Sequence, residues 1–172
     1  LCAKKALKGP VVIAFADTLF RADFIVDAEK DGIIWVQKVK DPMAYGVVKM
    51  NENDVITDFI EKPQEFISDL AIIGIYFFKD GLKLSAELQY LIDNNIKEKG
   101  EFQLTNALEN MKQKGAEFYP GKVDEWLDCG NPIAAVHANK RVLEYTANDE
   151  SRKALKIENA QIFEPCFIGA NV

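Results

Sequence analysis

Two stretches of this chain, residues 11–16 (VVIAFA) and 71–78 (AIIGIYFF), run without a charged position. A half-buried strand alternates apolar and polar side chains, because successive residues face opposite sides of a sheet. Unbroken apolar runs therefore predict strands covered on both faces. Residues 11–16 are expected as a central, fully buried parallel strand, and residues 71–78 as a second central strand. Ile33 to Val39 reads as another strand. Residues 46–50 (GVVKM) and 55–61 (VITDFIE) flank the polar turn Asn51-Glu52-Asn53-Asp54, which is a hairpin signature. Short strands are expected near 116–120 and 125–127.

The helical signals lie between these runs. A short helix is expected over residues 22–30, stopped by Asp31-Gly32. Asp80 is placed to cap a helix reaching about Asn94. Residues 103–114 form an amphipathic pattern closed by Gly115. Asn131-Pro132 opens a long helix to about Ala147, with Asn at the cap and Pro in the first turn. Residues 148–156 are polar and read as a linker. Ile162 and Ile168 are six apart, with Pro165 and Gly169 nearby, as in the opening turn of a hexapeptide β-helix.

Composition narrows the function classes. With 172 residues and 48% hydrophobic content, a single domain with a full core is expected. A net charge of −6 argues against a general nucleic-acid binder. A small anionic substrate stays compatible with that charge if a divalent cation and local lysines offset it. The three cysteines, Cys2, Cys129 and Cys166, lack metal-ligand spacing, and the single His137 falls on a predicted helix. A zinc site is therefore not expected, and free thiols fit a reducing, cytoplasmic setting. The sequence contains no signal-peptide pattern and no apolar run long enough to span a bilayer. The chain begins without Met, on residues that read as the second half of a helix stopped by Gly9. It ends inside an apolar pattern at Val172. Both ends are expected to be cuts in a longer protein.

The candidate chemistry sits at strand ends. Asp17 closes the first apolar run, and Asp128 follows Trp126-Leu127 and precedes Cys129-Gly130. In an open α/β sheet, ligands bind outside the carboxyl ends of the strands. Two carboxylates delivered there suit a divalent cation with a phosphate-bearing substrate behind it, although Asp17 alone also fits a helix or turn cap. In Glu61-Lys62-Pro63, Pro63 ends the strand by removing a donor. Glu61 can accept hydrogen bonds from sugar hydroxyls and Lys62 can meet a phosphate; a solvated strand end is the plainer reading. Gly46, after Tyr45, lets a ligand approach the backbone. Tyr76 and Trp126 each fit core packing as well as a pocket wall.

In order, the segments VVIAFADTLF, AYGVV, DFIEKP, AIIGIYFF, KGEFQLTNAL and EWLDCGNP resemble the sugar-1-phosphate nucleotidyltransferases of the glucose-1-phosphate thymidylyltransferase type. The resemblance covers residues 1–147. It implies the C-terminal part of a Rossmann-like catalytic domain, α/β, with a mixed, mostly parallel sheet flanked by helices. Residues 148–172 then hold a linker and the first turn of a left-handed β-helix. Asp17 and Asp128 take the places of the family's Mg²⁺ carboxylates, the first in Ala16-Asp17-Thr18 where the family usually has Gly-Asp-Asn. Lys62 matches the lysine that meets the sugar phosphate. Tyr45, Gly46, Glu61, Ile72, Tyr76 and Trp126 fall at substrate-binding positions, as does Lys99, where the family often carries a phosphate-binding Arg.

The implied reaction joins a sugar-1-phosphate, glucose-1-phosphate by default, to the nucleoside monophosphate part of a nucleoside triphosphate, with Mg²⁺ as cofactor. Two alternatives accompany it: a non-catalytic regulatory or assembly subunit of the same fold, and a bifunctional nucleotidyltransferase/acyltransferase. The family's glycine-rich triphosphate loop has no match in the chain, and the resemblance places it ahead of Leu1. By itself the chain is therefore expected to be inactive, to bind triphosphate weakly and to self-associate through a strand edge beside residues 11–16. A clean monomer on size-exclusion chromatography, with normal turnover, is the result that contradicts this.

Overall fold

The computed structural model describes residues 2–23, 25–146, 161 and 163–168. The linker expected over 148–156, and Ile162 and Gly169 of the hexapeptide turn, lie outside the described residues. The chain divides into two compact units. The larger is formed by Leu1–Ala16 and Phe20–Trp126, and the smaller by Asp17–Leu19 and Leu127–Val172.

The larger unit is built on a six-stranded sheet. Its strands are β1 (Val11–Ala14), β3 (Gly32–Lys38), β4 (Gly46–Met50), β5 (Ile56–Glu61), β6 (Leu70–Phe78) and β7 (Phe118–Lys122). Strand order is β5-β4-β6-β3-β7, with β1 added beside β6. Strand β2 (Thr18–Arg21) pairs instead with β8 (Glu125–Asp128) in a two-stranded ribbon. Helices α1 (Gly81–Asp93) and α2 (Leu104–Gln113) cover one face of the large sheet, and α3 (Pro132–Thr146) lies in the smaller unit.

The sheet is mixed, but it is not mostly parallel. β3 and β7 run parallel, whereas β1/β6, β3/β6, β4/β5 and β4/β6 are all antiparallel. The turn at residues 51–54 is too short for a parallel crossover and makes β4 and β5 antiparallel, and the other antiparallel pairs join strands distant in the chain. Strand β1 is likewise antiparallel, and only its alternate residues Val11 and Ile13 are half-buried while Val12 stays 49% exposed. Among the described residues it pairs with β6 alone, and the face that carries Val12 and Ala14 is exposed, without the cover that the apolar run predicted.

Strand β6 is central, as expected. Its nine residues carry side chains into two cores. On the helical face, Ile72, Tyr76 and Phe78 pack with Ile34, Leu84, Leu108 and Phe118. On the other face, Ile73, Ile75 and Phe77 pack with Ile33 and Trp35. Burial on both sides explains why the sequence shows no alternation here.

The described residues of 22–30 do not form the expected helix. The Asp27 carboxylate accepts the Glu29 amide hydrogen bond (3.1 Å) and its carbonyl accepts from Lys30 (3.3 Å), which closes a turn instead. Such local acceptors compete with helical bonding. By contrast, the Asp80 carboxylate caps α1 by accepting from Leu82 (3.0 Å) and Lys83 (3.2 Å), as its position predicted.

One irregularity shapes β6. Between the pairs Ile34↔Tyr76 and Val36↔Ile72 the register with β3 slips, leaving three β6 residues opposite Trp35. Gly74 sits in that bulge with φ +80°. A Cβ there would lie 2.9–3.1 Å from the Phe15 side chain. Both the left-handed backbone and the crowding select glycine. Gly74→Ala is expected to destabilise the protein by about 1–3 kcal/mol, read as a lower urea midpoint with an unchanged m-value; an unaltered midpoint contradicts this account of the bulge.

Candidate functional site

Strand pairing assembles the first cluster, all within the larger unit. Gly46 opens β4 and Glu61 closes β5, and the two are directly paired. An ideal Cβ on Gly46 would sit 3.0 Å from Glu61 Oε2, and 3.4 Å from both Ile72 Cδ1 and Thr105 Cγ2. Three residues thus converge on one glycine whose missing side chain leaves its backbone approachable. Tyr76 stands beyond the bulge on β6, 4% exposed, with its ring 5.6 Å from that of Phe15. Tyr45 meets Trp126 edge-to-face at 5.1 Å. The Trp126 indole N–H is buried and has no hydrogen-bond partner among the described residues.

Thr105 was not singled out from sequence. It is buried in the first turn of α2, and its hydroxyl donates to Glu61 Oε2 at 3.3 Å. The available signal was a hydroxyl on the apolar stripe that continues through Leu108, because a buried hydroxyl needs a partner.

The Glu61 carboxyl is held above the ordinary glutamate range. Burial is the main cause, and the Thr105 hydrogen bond and the Lys62 and Lys99 charges pull the other way, while Glu98 adds to the rise. Burial, and secondarily the Glu61 charge, also push the Tyr76 phenol well up, so it stays a neutral donor.

Lys62 follows with φ 42°, a left-handed conformation immediately before Pro63. A non-glycine residue held there costs about 1–3 kcal/mol and persists only where its surroundings enforce it. Here the Lys62 N–H donates to the Tyr45 carbonyl (3.1 Å), and the Lys62 carbonyl accepts from Lys99 Nζ (2.9 Å). Hydrogen bonds to charged groups contribute roughly 1.5–3 kcal/mol when sheltered, less when exposed as here.

The second cluster belongs to the smaller unit. The Cys129 N–H donates to the Asp17 carbonyl at 2.9 Å, which brings the two aspartate segments together. The Gly130 N–H donates to Asp128 Oδ1 at 2.8 Å. A Cβ on Gly130 would lie 3.1 Å from Asp128 Oδ1 and 3.6 Å from Asp17 Oδ2, so both carboxylates flank the space this glycine leaves open. Asn131 then caps α3, its Oδ1 accepting from Ala134 at 3.0 Å. Among the described residues no group of three His, Cys, Asp or Glu side chains gathers as a metal site. Two hard carboxylates without a third suit a small divalent cation that keeps water and completes its shell with phosphate oxygens. His137 lies exposed on α3. No helix among the described residues is long and apolar enough to cross a membrane, and the cysteines are free.

Comparison with known proteins gives the family and the fold. The family profile described as nucleotidyl transferase matches residues 7–145. The chain is 27% identical over 150 residues to the bifunctional protein GlmU of Methanococcus vannielii, covering 83% of this chain and 35% of that protein. It is 26% identical over 153 residues to the glucose-1-phosphate thymidylyltransferase of Streptomyces antibioticus, covering 80% and 42%. The chain thus spans less than half the length of these relatives. Among solved structures, the nucleoside-diphosphate-sugar pyrophosphorylase of Vibrio cholerae RC9 superposes with a TM-score of 0.65 at 21% identity, over 78% of this chain and 58% of that one.

The raised Glu61 carboxyl has a pH consequence. Its stability contribution is present below the unfolded-state value and is lost as pH rises through the folded one, because the buried site favours the neutral acid. Thr105→Val removes a hydrogen bond that favours the anion, so Glu61 is expected to titrate higher still in a carboxyl-carbon NMR titration. An unmoved titration contradicts the Thr105–Glu61 coupling.

Proposed function

The chain belongs to the nucleotidyl transferase family, and from that premise we propose that it serves nucleotidyl transfer to a sugar-1-phosphate. A phosphate oxygen of the sugar-1-phosphate attacks the α-phosphorus of a nucleoside triphosphate, a new P–O bond forms, and the α–β bridging bond breaks to release pyrophosphate. The product is a nucleoside-diphosphate sugar. The attacking oxygen is already ionised near neutral pH, so no general base is needed, which suits a chain whose one histidine is exposed on α3.

The observation that carries this reading is the convergence of Asp17 and Asp128 across Gly130. The two carboxylates are assigned to Mg²⁺, which when bound neutralises charge on phosphate oxygens. Such reactions ask the protein for alignment and charge neutralisation rather than covalent chemistry. Glu61 accepts hydrogen bonds from sugar hydroxyls, the Gly46 backbone lies against the ring, and Ile72 and Tyr76 supply the wall. Tyr45 and Trp126 border the same pocket, and Lys62 meets the sugar phosphate. A glucose-like sugar is the first to test, in view of the thymidylyltransferase relative. A cytoplasmic setting, in keeping with the free cysteines, and self-association belong to the same proposal.

Asp128→Asn in the full-length protein tests the metal assignment. Mg²⁺-dependent pyrophosphate release, assayed with glucose-1-phosphate and each nucleoside triphosphate in turn, is expected to fall by about 10²-fold or more. Turnover near that of the unaltered protein would sink it.

A further inference from the structure

The Lys99 ammonium is engaged in a way that a simple phosphate-binding role does not explain. Glu98 and Glu101 exchange both backbone hydrogen bonds, at 2.9 and 3.0 Å, around the two-residue tip Lys99-Gly100. Both tip residues have positive φ, 52° at Lys99 and 86° at Gly100, the pattern of a type I′ turn. That turn fixes where the Lys99 side chain starts, and its Nζ ends on the Lys62 carbonyl at 2.9 Å. Lys62 is itself left-handed, ahead of Pro63, and its N–H is tied to the Tyr45 carbonyl. Two strained residues, remote in sequence, are therefore joined by one hydrogen bond from an ammonium to a main-chain oxygen.

We propose that Lys99 is a positioning residue: it holds the strand end at Lys62 in its left-handed form, and so acts on the sugar phosphate through Lys62 rather than by touching it. The proposal rests on the assignment of Lys62 to the sugar phosphate given above. A backbone conformation that is costly by itself relaxes when one of its two restraints is removed. The binding site loses preorganisation, although no group in contact with the ligand has changed. The role needs a donor of the right reach rather than a charge at the phosphate, so Arg is expected to replace Lys.

Two measurements on the full chain test this. Amide hydrogen exchange at Lys62 is expected to quicken in Lys99→Met and to return toward the unaltered rate in Lys99→Arg. Calorimetry with glucose-1-phosphate is expected to show about tenfold weaker binding for Lys99→Met, with no further loss when that change is added to Lys62→Met. Unchanged exchange at Lys62 in Lys99→Met overturns the proposal whether or not the ligand binds. Equal losses from Lys99→Met with and without Lys62 also overturn it, since they place Lys99 on the phosphate directly. The exchange effect in Lys99→Met, together with no binding of glucose-1-phosphate by the unaltered protein, overturns instead the assignment of Lys62 and leaves the backbone clamp standing.

Discussion

The bulge at Gly74 is the constraint on which the larger unit depends. One edge of β6 faces β3 along its length, but the other edge changes neighbour. Ala71 pairs with Val47 of β4, and residues 75–78 pair with β1. A regular strand would offer the same edge to a single partner. The left-handed glycine turns β6 between those two partners, and its carbonyl accepts the Phe15 N–H at 2.9 Å just beyond β1. Ile72 and Tyr76 stand on either side of the kink, so the same residue that divides the edge also sets the spacing of two side chains of the helical-face core.

Strain recurs where the chemistry is assigned. Gly74, Lys62, Lys99 and Gly100 all have positive φ, and each is held by a hydrogen bond from another segment or by a tight turn. Glu61 is a second kind of cost, a carboxylate kept partly out of water and partly repaid by Thr105 and neighbouring lysines. Sites of this kind draw on the stability of their surroundings, here the two cores on opposite faces of β6.

The elements that depend on local pattern were legible in the sequence. The β4–β5 hairpin, the Asp80-capped helix and the amphipathic helix closed by Gly115 all stand where periodicity and punctuation put them. What depends on neighbours was not. The apolar run at 11–16 could not reveal that Val12 stays open to solvent, and the pattern over 22–30 could not weigh the Asp27 turn against a helix. The same division holds for the site. Glu61, Lys62 and Gly46 were readable as strand-end residues, but the convergence of Glu61 and Gly46 with Thr105 arises from packing of α2 onto the sheet, and the tie from Lys99 to Lys62 joins positions whose backbone angles no composition encodes.

The hydrogen bond from the Cys129 amide to the Asp17 carbonyl closes a loop of more than a hundred residues. Closure entropy grows only with the logarithm of loop length, so the pairing is affordable in the native state, yet it is the kind of contact that forms after local structure. In the unfolded chain the two aspartates are distant and behave as ordinary solvated side chains. A cation that requires both therefore binds the folded form alone, and by mass action its concentration becomes a term in the folding equilibrium.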